Sequence, residues 1–491
     1  MIIGSFLFFL LLVTGVGLAS VLRSRRTVDD YYLASRAVPP ALVGLSAVAT
    51  NNSGYMFIGV IGFTYTNGLS AGWLMVGWII GDLIGSLLVL RELRVVTGHT
   101  RQVSFAGVIS RWGGDHFPVV RTVVALGTVV FLGAYAAAQF SAGGKALQSM
   151  FGWHVHTGAL MVALVVAAYC LAGGIRASIW TDVVQSAVML LSMGLLLVES
   201  VRALGGPADA CAALAAIPGF LAWFPPALLV PGGVGMALFV VGWLFAGLSV
   251  LGQPHIMIRF MALDSPAHLA RARAWYYVFF TVFYLLATGV GLLARVHLPA
   301  LATLDPELAL PELASLLLHP VFVGLVLAGI FAATMSTADS LVLSCSSALT
   351  HDLAPPACRS LVWSKAATLL VVTFAFAIAI TGPASVFTLV ILAWSTLGSA
   401  FGPLMIVYAL RGRPSETLAL LMICTGPLVA LAWRGLGWHA QYYEGMPGML
   451  AGLLVYAVAR WRVAGRASTG AARAVNPAAE SVITADTARR R

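Results

Sequence analysis

Residues 332–352 read AATMSTADSLVLSCSSALTHD. Ser336, Ser340, Ser344 and Ser347 recur at spacings of three and four, so in a helix they share one face, with Thr337 and Asp339 in the same stretch. A second stretch, SAVATNNSGYMFIG at 46–59, places Asn51, Asn52, Ser53 and Gly54 in succession. A third, SVLGQPHIMIRFMA at 249–262, carries Gly252 and Pro254. Hydroxyls, together with carbonyls freed where a helix breaks, form a hard oxygen shell of the kind that suits a small metal cation. A single serine in an apolar helix usually bonds its own i−4 carbonyl, so most of these hydroxyls are expected to be packing. Ser336 and Thr337 stand apart because Asp339 lies beside them, and an ionisable group in apolar surroundings marks an ion or solute path. Asp182, in GGIRASIWTDVVQ, reads either as an acid near a helix N-terminus favoured by the dipole or as part of such a path. Asp82 has no partner that the sequence identifies, and the direction of Tyr135 stays open.

The elements that must position these residues follow from composition. The chain has 491 residues, 60% hydrophobic and 9% charged, with a mean hydropathy of +0.94. Apolar runs of about 20 residues, each long enough to cross a hydrocarbon core, recur from end to end. They predict an all-α membrane protein of about thirteen transmembrane helices, near 4–22, 41–66, 70–90, 122–147, 157–174, 179–201, 228–252, 275–295, 320–349, 362–381, 384–409, 415–433 and 447–463. Short buried strands alternating with amphipathic helices, the mark of a large α/β enzyme, are not seen. Residues 1–463 read as one transmembrane domain, and the small, polar, Ala-rich stretch 464–491 as a disordered cytoplasmic tail.

The formal charge of +10 would suit nucleic acid, but its distribution explains it otherwise. With the N-terminus outside, nearly all arginines fall on the cytoplasmic side, among them Arg36, Arg101, Arg111, Arg121, Arg176, Arg259 and Arg359. Lys145, Arg202, Arg295 and Arg434 remain outside. This positive-inside bias predicts a cytoplasmic C-terminus and no nucleic-acid partner. His255 and His351 are expected at the cytoplasmic edge. The first span is followed by RSRR rather than preceded by basic residues, so it reads as a retained helix. Five scattered cysteines imply neither a disulfide framework nor a zinc site. No HExxH motif or catalytic triad stands out, so no enzymatic activity is expected.

Two spans are interrupted, the second at 51–54 and the seventh at 252–254, and they lie five spans apart. Paired broken helices in matching positions of two halves point to a transport site, because backbone groups outside the helical ladder can meet an ion or solute.

The chain resembles the sodium/solute symporter family, most nearly its proline-permease branch. The stretches that carry the resemblance run in family order over roughly residues 20–460. They are DDYYLASR at 29–36, LSAVATNNSGYMFIG at 45–59, GGIRASIWTDVVQ at 173–185, GQPHIMIRFMALDS at 252–265, AATMSTADSLVLSCSSALTHDL at 332–353, AWSTLGSAFGPL at 393–404 and YEGMPG at 443–448. The resemblance implies the leucine-transporter architecture, two inverted five-helix repeats at about 41–201 and 228–409. It implies a sodium site between spans 2 and 9, made by the carbonyls of Ala49, Asn52 and Ala333 and the hydroxyls of Ser336 and Thr337. Asp182 matches a family acid associated with cation passage, and Asp339 is read as lying on the same path. The solute is expected near Asn51, Ser53, Gly54, Tyr55 and Tyr135, and along span 7 at Trp243, Ala246, Val250, Gln253 and Pro254.

The chain departs from the proline branch at two places. That branch has an aspartate where Asn51 stands here, as asparagine also does in the sugar-transporting branch. It has bulky aromatics where Ala246 and Val250 stand, which implies a pocket of different shape. The expected activity is sodium-coupled symport of a small polar solute, an amino acid or small organic acid, in a bacterial inner membrane. Sodium is the coupling ion, no other cofactor is expected, and the partners are solute, Na+ and the bilayer with no obligate protein. A proton-coupled or uncoupled carrier and a transporter-like solute sensor are the alternatives; the short tail argues against the sensor.

Overall fold

The computed structural model describes residues 1–23, 25–382 and 385–474. Ten helical stretches among them are long and apolar enough to cross a membrane. Two of the ten each hold parts of two crossings. Val155–Ala203 folds back at Gly174 into spans 5 and 6, and Tyr55–Thr100 contains the C-terminal half of span 2 and all of span 3, Gly72–Thr100. With Gly445–Ala474 as the last crossing, thirteen spans result among the described residues. The others are Ile2–Ala19 (span 1), Pro118–Phe151 (span 4), the segments from Gly232 to Met261 (span 7), Leu269–His297 (span 8), Pro320–Ser347 (span 9), Leu361–Thr381 (span 10), Val386–Ala409 (span 11) and Glu416–Gly435 (span 12). The final helix continues past residue 463, where the tail was expected to begin; residues 475–491 of that tail lie outside the described residues.

Spans 2 and 7 are both broken. Span 2 consists of Pro40–Asn51, a gap, a π-helical turn Tyr55–Val60 and Ile61–Asn67. Span 7 runs Gly232–Leu248, tightens to a 3₁₀ turn at Ser249–Gly252, passes through Gln253 in an extended conformation and restarts at Pro254–Met261. Proline at the first helical position fits that restart, since its missing N–H costs nothing there. Spans 9 and 11 lie at the centre, each with 89% of its most apolar stretch buried, against 17% for span 1. Span 3 meets span 7 closely: a Cβ added to Gly81 would stand 1.9 Å from the Leu244 carbonyl oxygen. That approach of small residues carries the next side chain, Asp82, into the bundle.

Spans 5 and 6 reverse direction without a loop. Gly174 takes φ 57°, where a Cβ would also stand 2.4 Å from the Tyr31 carbonyl oxygen. Tyr31 belongs to the short helix Val28–Leu33, capped by the Thr27 hydroxyl. Its acid Asp30 accepts from the Arg25 N–H at 2.8 Å, from the Ser35 hydroxyl at 2.8 Å and from the Arg176 guanidinium. Burial alone would raise the Asp30 carboxyl; these donors outweigh it and hold the group below the ordinary carboxylate range. A depressed pKa stabilises the fold at neutral pH, and that contribution is lost as pH falls through the folded value. Tyr31 and Tyr32 reach Thr368 on span 10 and Ser346 and Thr350 near the end of span 9, so DDYYLASR ties the first linker to three spans.

At the opposite end, Lys145 on span 4 donates to Asp305 at 2.8 Å and to Glu307 at 2.6 Å. Glu307 also caps span 11, accepting the N–H of Val386 at 3.2 Å and of Phe387 at 2.9 Å. Beneath this strap Phe63 stacks on Phe387, with centroids 4.9 Å apart and planes within 7°.

Gly174→Ala is expected to lower stability by about 2 kcal/mol or more, since it adds a left-handed non-glycine residue and a steric clash. Thermal unfolding of the purified protein in detergent checks this; an unchanged midpoint would refute it.

Candidate functional site

The break in span 2 is built by diverting amide donors. In a continuous helix the N–H groups of Ser53 and Gly54 would bond the carbonyls of Ala49 and Thr50. Instead Ser53 N–H goes to Asn51 O at 3.0 Å, closing an inverse γ-turn on Asn52 at φ −81°, ψ 68°. Gly54 N–H goes to Gln139 Oε1 at 2.9 Å. Tyr55 N–H turns to Ser53 Oγ at 3.2 Å. The carbonyls of Ala49 and Thr50 thereby lose their helical donors. Thr50 O is taken by the Thr337 hydroxyl of span 9, at 2.8 Å. Ser336 Oγ, one residue before, is fully buried with no hydrogen-bond partner, as are both side-chain polar atoms of Asn52. Ala333 lies in the regular part of span 9, one turn before Thr337. The break thus meets span 9 at Thr50, through Thr337, and at Gly54, where an added Cβ would stand 2.5 Å from the Thr334 methyl; Ala49, Asn52 and Ser336 are their neighbours in the chain.

Against this seam lies a buried ion cluster. Arg259, expected at the cytoplasmic surface, is instead fully buried. Its Nη2 donates to Ser178 Oγ at 2.5 Å, to the Ser340 hydroxyl and to Thr50 Oγ1 at 3.4 Å, and lies 3.4 Å from Asp182 and 3.5 Å from Asp339. The reason is the restart at Pro254, which carries Arg259 inward on a helix whose residues are all buried. Asp182, read from sequence as close to a helix N-terminus, is well inside span 6, with Ser46 Oγ donating to it at 2.5 Å. Asp339 accepts from Ser178 and Ser340, each at 2.7 Å. One guanidinium serves two carboxylates, and Asp182 Oδ1 and Asp339 Oδ2 keep no hydrogen-bond partner.

A second group of polar atoms converges where the two breaks face each other. Tyr135 points into the bundle, its hydroxyl donating to Ser53 Oγ at 3.1 Å. Its ring meets His255 edge-on at 5.5 Å, and His255 meets Trp394 at 6.3 Å. His255 is fully buried rather than at the cytoplasmic edge, because it too follows the Pro254 restart. Gln253 donates to the Trp394 carbonyl at 3.0 Å, and Trp394 Nε1 donates to the Ala246 carbonyl at 2.8 Å. Tyr55 Oη, Gln139 Nε2, Gln253 Oε1 and both His255 nitrogens are buried without partners. Buried polar atoms are normally satisfied, so a cluster of them marks where a polar molecule is received. Val250 is buried in the 3₁₀ turn. Trp243 stacks on Tyr443 at 6.2 Å, one helical turn before Gly247. Pro254 lines a small cleft with Ser104, Thr128 and Ser344.

Asn51 faces elsewhere. Its amide donates to Tyr276 Oη at 2.5 Å and to Asp82 Oδ2 at 3.2 Å. Tyr276 and Tyr277 of span 8 donate to the two Asp82 oxygens, each at 2.7 Å. Asp82 thus has three donors and no cation within ion-pairing distance among the described residues.

Residues 31–426 match the profile of the sodium:solute symporter family. The chain belongs to that family. It is a membrane-embedded carrier coupling sodium to a small solute, not an enzyme. The high-affinity proline transporter PutP of Bacillus subtilis (strain 168) is 31% identical over 439 residues, 87% of this chain and 91% of the relative. The sodium/proline symporter of Escherichia coli (strain K12) is 31% identical over 445 residues, 88% of this chain and 87% of its own length. A Na+-coupled sialic acid symporter, solved in a substrate-bound outward-open state, superposes with TM-score 0.78 at 19% identity, covering 92% of this chain and 96% of that one. A nucleobase-cation-symport-1 family transporter in a closed conformation gives 0.59 at 16% identity, covering 88% and 94%. These two likenesses bear out the leucine-transporter-type fold, with broken spans 2 and 7 opening its two five-helix repeats.

Sequence reasoning missed Arg259, His255 and Gln139. Arg259 carried a signal, a lone charge inside the apolar run IMIRFM, which the charge-sidedness rule overrode.

Removing one partner of a buried ion cluster leaves the rest uncompensated, at about 3–5 kcal/mol. Arg259→Gln is therefore expected to lower the thermal midpoint markedly, and adding Asp339→Asn to restore part of the loss. Equal midpoints for the single variant and the native protein would remove the cluster from its structural role.

Proposed function

We propose that the coupling sodium ion is held at the seam of spans 2 and 9 by the carbonyls of Ala49, Asn52 and Ala333 and the hydroxyls of Ser336 and Thr337. The observation that carries this is the diverted amides of Ser53 and Gly54, which release the Ala49 and Thr50 carbonyls where span 2 meets span 9 at Thr337, next to the unpartnered Ser336 hydroxyl in the chain. Asp182 and Asp339, which share one arginine and each keep one oxygen without a hydrogen-bond partner, line the cation's path beside those oxygens. The solute is a small polar molecule, of which a small amino acid is the first choice because several relatives carry proline. It is received by Ser53, Gly54, Tyr55, Tyr135, Gln253 and His255, with Asn51, Trp243, Ala246, Val250 and Pro254 shaping the surroundings. Sodium orders the broken segments and thereby favours the state that binds solute; coupling is the difference in both ligands' affinity between the two states. The protein sits with its N-terminus outside and its arginine-rich loops and C-terminus in the cytoplasm.

Uptake of labelled amino acids and short organic acids into proteoliposomes under an inward sodium gradient tests this reading. Replacing Ser336 and Thr337 together by alanine is expected to raise the sodium concentration for half-maximal uptake by ~10-fold or more, the worth of one or two lost ligands. Unchanged sodium dependence would move the site elsewhere.

One observation favours a second coupling ion, the proton. Asp82 is a buried carboxylate with donors only from Tyr276, Tyr277 and Asn51, and it is joined through Asn51 to the break in span 2. On span 8, Arg273 is instead bonded to Ser86, at 2.8 Å. If Asp82 takes up a proton during the cycle, Asp82→Asn flattens the pH dependence of uptake while sodium dependence remains. An identical pH profile in the two proteins would leave sodium alone.

A further inference from the structure

At the end of the bundle that carries the arginine-rich loops, a cavity of about 790 Å³ opens between separate pieces of chain. Arg36 reaches it from the first linker, Arg101 from the end of span 3, Arg111 from the connection to span 4, Arg121 from span 4 and Arg359 from the linker after span 9. The acids facing them are few. Arg36 Nη1 is 2.5 Å from Asp29, and Arg121 Nε is 2.7 Å from Asp352. Among the described residues Arg359 Nη2 donates only to the His351 carbonyl, at 3.4 Å, which also accepts from Arg121 at 3.0 Å. Arg101 and Arg111 have no carboxylate within ion-pairing distance among the described residues, and Arg111 Nε is buried without any hydrogen-bond partner. Arg101 is held in a left-handed conformation, φ 51°, closing span 3 through its N–H to the Thr97 carbonyl at 3.1 Å. Arg36 is left-handed as well, φ 52°, and its Nη2 donates to the Gln102 carbonyl at 3.2 Å. Backbone of this kind is sparsely populated by residues other than glycine and persists only where surroundings impose it.

The sidedness of charge accounts for arginines on this face of the membrane. It does not account for five guanidiniums converging on one concavity with three fewer carboxylates than they could pair. Like charges brought together repel, and the repulsion is relieved by an anion presenting several acceptor oxygens. Guanidinium groups suit a phosphate in particular, because their planar fork of donors matches two of its oxygens at once.

We propose that this cavity is a binding site for a phosphate-bearing anion, supplied either in solution or as the headgroup of an anionic lipid. The lining residues come from the first linker, span 3, the connection to span 4, span 4 and the end of span 9. A bound phosphate therefore bridges pieces whose arginines are otherwise held by Asp29, Asp352 and backbone carbonyls. Binding to that arrangement stabilises it by mass action and biases transport toward whichever state keeps the arginines together.

The test uses the full-length protein and reads stability, so it is independent of the transported solute and of the sodium site. Thermal midpoints are measured in neutral detergent with pyrophosphate, with chloride at matched ionic strength, and in mixed micelles containing phosphatidylglycerol or phosphatidylcholine. The proposal expects pyrophosphate or phosphatidylglycerol to raise the midpoint above its matched control. A pyrophosphate response assigns a soluble ligand, and a response to phosphatidylglycerol alone assigns a lipid headgroup. The double variant Arg101→Gln, Arg111→Gln orphans no acid and is expected to need at least ~10-fold more of the effective anion for half its shift. Arg111→Lys, which keeps the charge but loses the fork, is expected to fall between. The proposal is overturned if neither anion exceeds its control, or if the double variant responds as the native protein does.

Discussion

One guanidinium between two carboxylates sets the terms for the centre of this protein. Arg259 lies within 3.5 Å of both Asp182 and Asp339 in surroundings where none of the three touches solvent. Unpaired, any of these charges would be too costly to hold there. Their mutual neutralisation lets spans 6, 7 and 9 meet, with Ser46 and Thr50 drawing span 2 into the same network. The cluster also explains the oxygen in span 9: Ser340 works for the arginine and the aspartate, Thr337 for the broken helix, and Ser336 is left open. Packing serines and ligand serines share one helical face, and their partners distinguish them.

The broken helices supply the other half of the arrangement. An α-helix consumes its own carbonyls, so a helix that is to present oxygen to something else must first lose donors. Here the loss is achieved by an inverse γ-turn at Asn52 and by Gln139, whose side-chain oxygen takes the amide of Gly54. Span 7 does the equivalent with Gln253 extended and a proline restart. Gln253 then secures the gap by bonding the Trp394 carbonyl on span 11.

Much of this was legible in the sequence. Hydropathy located each crossing, though spans 3, 7 and 13 run about ten residues past their expected ends, and AVATNNSGY and SVLGQPH marked both breaks, because Gly, Pro and Asn act locally on the backbone. The roles of Arg259, His255 and Asp82 were not legible in the same way. Counting basic residues by side assumes that a charge near a helix end faces water, and Arg259 breaks that assumption because its two acids arrive from spans far away in the chain. Asp82 depends on Tyr276 and Tyr277, nearly two hundred residues on, and nothing in its own neighbourhood announces them. Local signals recorded where the chain bends; partnership across the bundle decided what the bends serve.

Glu307 holds two tasks in one carboxylate, neutralising Lys145 and capping the start of span 11. The two contacts are therefore coupled through one side chain. Loosening Glu307 would take two accepted amides from the start of span 11 and one of two carboxylates from Lys145 together, leaving Asp305 to hold the lysine. A shift of that one carboxylate is therefore felt by span 4 and by span 11 at once, so the two helices cannot respond to it separately.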